Sequence, residues 1–315
     1  MVEIILLSLL GWGAVGALLV EVFDDDEDDD TPDTPGDEQP VEEVSPPPSD
    51  ESDLVTGTSD ADRIPAGEGD DTVIGGAGDD TLLGEDGEDV LLGQDGNDSL
   101  DGGADADTLA GGPGDDMAFG RTGNDLILGE DGDDGLFGAQ GEDLLVGGDG
   151  ADTMVGGVGD DILVGVDLGI DNLLESLDSP ADASGEEASL NVPDLFDPQS
   201  DEGDTMAGGY GDDTILVGSA DQATGDEGDD TFLLGDWIDT TEPALITDYE
   251  DGADLIAISH DPALADPEVT IGTNAAGAAL VSLNGQLLAE VAGAGATLAP
   301  EDIVLIAREP ALATG

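Results

Sequence analysis

Between Gly57 and Val164 an aspartate returns at every ninth residue: Asp62, Asp71, Asp80, Asp89, Asp98, Asp107, Asp116, Asp125, Asp134, Asp143, Asp152 and Asp161. Two places after each stands an apolar side chain: Ile64, Val73, Leu82, Leu91, Leu100, Leu109, Ala118, Ile127, Leu136, Leu145, Met154 and Leu163. Carboxylates held in register are hard oxygen donors. A cation such as Ca2+ takes roughly six to eight oxygens, from carboxylates and from carbonyls of tightly curved backbone. Glycine at the first, second and fourth places of most units opens turn conformations closed to other residues, so that carbonyls can be aimed at one point while the Asp supplies charge. A solvated acidic tract would fix neither the acidic nor the apolar phase.

Written in nines, the stretch reads GTSDADRIP, AGEGDDTVI, GGAGDDTLL, GEDGEDVLL, GQDGNDSLD, GGADADTLA, GGPGDDMAF, GRTGNDLIL, GEDGDDGLF, GAQGEDLLV, GGDGADTMV and GGVGDDILV, without a gap. The rest of the composition narrows the chemistry. The 315 residues hold 79 Asp and Glu against three Arg (Arg63, Arg121, Arg308) and no Lys, a formal charge of -76 that repels nucleic acid, phosphate and anionic membranes. There is no Cys and a single His, His260, which the sequence SHDP places in a turn. No zinc-protease pair of histidines, no GxSxG elbow and no GxxxxGKS/T loop is present, and the chain is read as non-enzymatic. Arg63 and Arg121 are expected to pair with neighbouring acids.

The units resemble the haemolysin-type (RTX) calcium-binding nonapeptide, GGxGxDxUx. After an interruption the pattern returns as GGYGDDTIL (208–216) and GDEGDDTFL (225–233), adding Asp213 and Asp230, and ITDYEDGADLIAI is similar to the segment that follows such arrays. Asp60 and Asp105 replace the glycine at position four, and the second glycine is often Glu, Gln, Arg or Ala, which weakens individual sites. The resemblance implies an all-β, right-handed parallel β-roll in which two nonapeptides make one turn and the last three residues of each form a short strand. It further implies that multiple Ca2+ ions lie between like turns of successive coils, with ligands from repeats n and n+2. The fourteen aspartates named above are then the metal residues. Export by a type I secretion machinery is implied too, with a signal near the C-terminus that EDIVLIA (301–307) fits loosely. An RTX pore-forming toxin is disfavoured, because such toxins are activated by lysine acylation and this chain has no Lys.

Around the array the chain divides further. Residues 1–23 contain an uncharged run, Ile4 to Val20, read as an uncleaved membrane anchor, with an oligomerisation or docking helix as the alternative. Residues 24–56 are acidic and Pro-rich and are read as a disordered linker. The array spans 57–164 and is followed by an acidic insertion, 165–203, where Ile170, Leu173, Leu174 and Leu177 fit a short amphipathic helix. Further repeats occupy 204–234, and a small β cap, with a hairpin at Asn284-Gly285, occupies 235–315.

Electrostatics points the same way. Residues 57–164 contain 29 acids and two Arg, which should not compact without counter-charge. Twelve units allow ten n/n+2 pairings, and ten Ca2+ would leave about -7, within the range of ordinary soluble domains. Metal binding and folding are therefore expected to be one event, in a secreted, cell-surface or membrane-anchored protein of structural or adhesive role. The alternative is a calcium-dependent module of a carbohydrate-active secreted enzyme. Outward positions seven and nine sort into a mixed face and an apolar face. The apolar one, with Leu126, Leu128, Leu144 and Val146, should be covered by the insertion or by self-association.

Overall fold

A computed structural model describes residues 42–43, 51–166 and 203–307, apart from 240, 262 and 265. The hydrophobic run at 4–20, most of the 24–56 linker and the helix expected at 170–177 lie outside the described residues. No helix among the described residues is long and apolar enough to cross a membrane.

The period-nine pattern builds strands. In each unit an apolar residue flanked by two outward-facing ones starts an extended segment, and the segment runs on through the first three residues of the next unit. Strands are thus six residues long, as in Thr81–Asp86, Val90–Asp95 and Ser99–Ala104, rather than the expected three. Each pairs in parallel with the strand two units away, for instance Thr81↔Ser99, Leu82↔Leu100 and Leu83↔Asp101. Successive strands go to opposite sheets, one of thirteen strands and one of eleven among the described residues. The result is an all-β parallel solenoid. The position-eight side chains from Ile64 to Leu163 fill the space between the sheets at 0–1% exposure, which is why that position tolerates only apolar residues.

The roll starts earlier than the sequence expectation. Leu54–Thr56, placed in the linker, pairs in parallel with Thr72–Ala77, and Glu42–Glu43 pairs with Asp62 and Arg63. Asp53 and Val55 stand nine residues before Asp62 and Ile64, so both phases already run through this stretch without its glycines. Val55 is buried and closes that end of the core.

The insertion interrupts the sequence without interrupting the stack. Thr153–Val158 pairs directly with Thr205–Tyr210, and Ile162–Val164 with Thr214–Leu216. Loop-closure entropy grows only logarithmically, so lengthening this connection costs about 1 kcal/mol.

Beyond the repeats, Leu255–His260 lies parallel to both Thr231–Gly235 and Ile303–Ala307. The hairpin Ala279–Leu283 and Gln286–Val291 turns at Asn284 (φ 51) and Gly285 (φ 83), as its sequence predicts. Gln286–Val291 extends the thirteen-stranded sheet through Ala244–Ile246. His260 is not in a turn: it ends its strand and is buried, because Ala307 of the returning strand pairs with it. Its Nδ1 lies 3.0 Å from the Asp261 carbonyl oxygen.

The two outer faces differ as the sequence sorting indicates. On the thirteen-stranded sheet Phe119 stacks on Phe137 with centroids 5.1 Å apart, and the Arg121 guanidinium lies 4.9 Å over Phe119. Arg121 also forks onto Asp101, at 2.9 and 2.7 Å. Arg63 makes no ion pair with a described residue. On the eleven-stranded sheet Ala110, Leu128, Val146, Val164, Val166 and Leu216 form a second apolar cluster, against which Trp237 packs. Leu128 points away from the main core and yet keeps only 1% of its surface exposed within this cluster. Ile162, at its margin, stays exposed.

Candidate metal centre

The fourteen aspartates singled out in the sequence are all buried, at 1–3% exposure. The roll arranges them in two rows, one along each line of turns. Asp62, Asp80, Asp98, Asp116, Asp134 and Asp152 form one row; Asp71, Asp89, Asp107, Asp125, Asp143, Asp161, Asp213 and Asp230 form the other. Within a row each Oδ1 accepts the backbone N–H of the aspartate one coil earlier: Asp62 N–H donates to Asp80, Asp80 to Asp98, and Asp98 to Asp116, at 2.6–2.7 Å.

The other carboxylate oxygen has no such partner. Oδ2 of every array aspartate from Asp71 to Asp161, and of Asp213, is buried without a hydrogen bond among the described residues. At the first coil the roles are exchanged, because Thr58 donates to Asp62 Oδ2 and leaves Oδ1 bare. What lies beside these bare oxygens is backbone. A methyl group placed on Gly75 would stand 2.5 Å from Asp80 Oδ2 and 2.8 Å from the Gly93 carbonyl oxygen. Gly138 has the same relation to Asp143 Oδ2 and the Gly156 carbonyl oxygen, the latter at 2.7 Å. The glycine at position one keeps this cradle open, and the cradle joins a carboxylate of repeat n to a carbonyl of repeat n+2.

At position four Gly96 has φ near 142° and the backbone of the preceding coil leaves no room for a Cβ, whereas Asp105, which replaces this glycine, takes φ 75°. Position two is more permissive. Glu85, Gln94, Arg121, Glu130 and Ala139 occupy it at φ 75–84°, so replacement there strains the backbone without breaking the turn.

A buried carboxylate with a bare oxygen and no neighbouring cation is costly to ionise. Burial pushes Asp134 up to about 8, Asp98, Asp107 and Asp213 to about 7, and Asp89, Asp116 and Asp125 to about 6, opposed in each by the N–H of the previous coil. For Asp134, Asp98 and Asp107 the carboxylates one coil before and after raise it further. Among the described residues no three acidic or histidine side chains converge on a point. The remaining oxygens for a cation would come from backbone carbonyls, such as those of Gly93 and Gly156 beside the bare carboxylates, and from water. That donor set, all hard oxygen, suits Ca2+ and offers nothing to a soft metal.

A family model of the RTX calcium-binding nonapeptide repeat matches at residues 49–82, 56–91, 83–118, 110–145 and 137–166. Residues 49–166 are RTX calcium-binding repeats. The RTX match begins at 49, in agreement with the early start of the roll. No curated protein matches the chain. Among solved structures, extracellular lipase LipA from Serratia marcescens is similar at 14% identity over 82% of this chain, with a TM-score of 0.22. This chain spans 39% of that lipase, a likeness too distant to bear on fold or activity.

The RTX ladder does not stop where the family match does. Asp152 N–H donates to Asp204 Oδ1 at 2.9 Å, Asp204 N–H to Asp221 Oδ1 at 2.9 Å, and Asp161 N–H to Asp213 Oδ1 at 2.8 Å. Asp204 and Asp221 are as buried as the others and are absent from the sequence-derived set. The signal was there: each stands nine residues before Asp213 or Asp230, with Met206 and Ala223 in the apolar phase. The glycines that mark a unit are lacking ahead of Asp204, where Gln199, Ser200 and Glu202 stand. At the far end Asp254 accepts from Asp230 N–H, so a carboxylate outside the repeats finishes that row, and Asp248 accepts from the N–H groups of Gly225 and Asp226.

Proposed function

We propose that this chain is a secreted or cell-surface RTX protein, non-enzymatic and structural or adhesive in role, that folds when it meets Ca2+ outside the cell. The observation that carries the reading is the row of buried, unpartnered Asp oxygens, which at Asp80, Asp89, Asp98, Asp134, Asp143 and Asp161 stand beside a carbonyl two repeats on. Asp62, Asp71, Asp80, Asp89, Asp98, Asp107, Asp116, Asp125, Asp134, Asp143, Asp152, Asp161, Asp213 and Asp230 would hold the ions with those carbonyls. Bound Ca2+ would supply the positive charge that the array lacks. The protein's own part is to fix one carboxylate oxygen on the previous coil, keep the other aimed at the cradle, and hold glycine at position one of every array unit except that of Ala66.

Export through a type I secretion machinery follows from the resemblance of the repeats, and a chain that stays unfolded at low cytosolic Ca2+ suits that route. Residues 4–20 would add a membrane tether. The test is a calcium titration followed by circular dichroism and hydrodynamic radius. Chelated protein at neutral pH is expected to be expanded and without strand signal, and millimolar Ca2+ to produce both strand signal and compaction. Mg2+, which demands near-ideal octahedral geometry, is expected to fail as a substitute. A β-rich spectrum that persists in excess chelator at neutral pH would sink the proposal.

A further inference from the structure

One cradle in the roll is assembled from two sides of the insertion. A methyl group on Gly156 would touch Asp161 Oδ2 and stand 2.7 Å from the carbonyl oxygen of Gly208. Gly156 and Asp161 precede residues 167–202, and Gly208 follows them, yet the arrangement is that of Gly138, Asp143 and Gly156 within the uninterrupted array. Asp161 is 1% exposed, its Oδ2 has no hydrogen-bond partner among the described residues, and its N–H is tied to Asp213 Oδ1 at 2.8 Å. Asp213 in turn has its own bare Oδ2. Around this point the two parts of the chain meet along a seam of parallel pairs, Met154↔Met206 and Leu163↔Ile215, both inside the core.

We propose that Asp161 and the Gly208 carbonyl form a calcium site that staples the chain before the insertion to the chain after it. The inference rests on the reading of the repeats as calcium-loaded in the folded protein. It goes beyond that reading in making a bound ion, rather than the covalent chain through 167–202, what holds the two parts in one roll. At Asp161 the seam repeats the geometry of Asp143 and differs from it in connectivity. The bare carboxylate would confront the partner half's carbonyl whether or not the connecting segment were intact. The insertion is thereby free to be long, acidic or cut without opening the solenoid, provided Ca2+ is present.

The test uses the full chain with one site-specific protease recognition sequence placed within 167–202. After cleavage in millimolar Ca2+, the two pieces are expected to elute together in size exclusion with the strand signal of the uncut chain, and to part when EGTA is added. Asp161→Asn keeps the Oδ1 that accepts the Asp143 N–H while replacing the bare oxygen. In the cut protein it is expected to raise the Ca2+ concentration at which the pieces rejoin several-fold more than Asp89→Asn, which alters an equally buried site away from the seam. Pieces that stay joined in EGTA would show that the sheets alone hold the seam, and pieces that part in Ca2+ would show that the site does not staple it. Equal shifts for the two variants would also overturn the proposal. The underlying reading fails separately, when the uncut chain gives one and the same spectrum in Ca2+ and in EGTA.

Discussion

The backbone N–H of Asp152 donates to Oδ1 of Asp204 across 52 residues of sequence, in the same bond that joins Asp134 to Asp152 across 18. The ladder thus measures position along the roll rather than along the chain. At every aspartate from Asp71 to Asp161 and at Asp213 a rung leaves one carboxylate oxygen without a hydrogen bond among the described residues, and the following expectations test the rungs, the cradles and the faces separately.

Asp116→Ala should disturb the protein more than Asp62→Ala. Asp116 accepts the N–H of Asp98 and donates its own to Asp134, so its loss leaves a buried donor without its acceptor, at about 1–3 kcal/mol, in addition to the lost ligand. Asp62 lies near the first coil, where Thr58 already occupies one of its oxygens. The calcium midpoint by circular dichroism is expected to rise further for Asp116→Ala; equal midpoints would contradict a stacked roll.

Gly75→Ala should act as a plug. Its new methyl group would stand within 3 Å of both Asp80 Oδ2 and the Gly93 carbonyl oxygen, filling the cradle. Gly272→Ala, whose methyl group would meet only Leu280 at 3.7 Å, is the control. Calorimetric titration should show one weakened or lost site for Gly75→Ala and an unchanged isotherm for Gly272→Ala.

Acid should replace calcium in part. In the metal-free roll Asp98, Asp107 and Asp213 are raised to about 7 and Asp134 to about 8, above the ordinary 3.8. The folded roll therefore binds more protons than the unfolded chain between these values. Its stability is fully present below the unfolded value and is lost as pH rises through the folded ones. In chelator, strand signal is expected to grow as pH falls from 8 towards 4. In Ca2+ the midpoint should rise over the same fall, because protons compete for the bare oxygens. A chelated chain equally unstructured at both ends of this range would refute the shifts.

The outer apolar cluster should behave as core. Leu128→Ala is expected to cost about 2–5 kcal/mol in calcium, as a buried leucine does. Leu54→Ala, at 71% exposure, should stay within about 0.5 kcal/mol. Denaturant midpoints at fixed Ca2+ compare them, and a neutral Leu128→Ala would mean that nothing packs on that face.

The Arg121–Asp101 pair should contribute little. Both side chains are partly exposed, and such pairs are worth about 0.2–1 kcal/mol. Arg121→Ala is expected to lower stability by no more than this plus its packing on Phe119, with the difference shrinking at high salt.

Much of this architecture was legible because the repeat is a local code. The nine-residue phase of Asp62 to Asp161 and of Ile64 to Leu163 already says which side chains turn inward, while the pairing of alternate units in one sheet and ligands from repeats n and n+2 are what the resemblance implies. Asn284-Gly285 announced its hairpin in the same way, through backbone conformations that few other residues adopt. Where the code lost its glycines it became hard to read. Asp53 and Val55 kept the phase inside a stretch that looked like linker, and Asp204 and Asp221 kept it beside an insertion.

The sequence by itself determined the inward and outward phases and the oxygen chemistry of the Asp row, since these depend on neighbours within one nonapeptide. Only the tertiary structure decided that the stack passes straight across residues 167–202, that Gly208 completes the cradle of Asp161, that His260 is buried in a strand, and that Leu128 is buried. Each of these depends on parallel strands meeting across space, where the contact is set by stacking of coils, and the number of residues between the partners leaves almost no energetic trace.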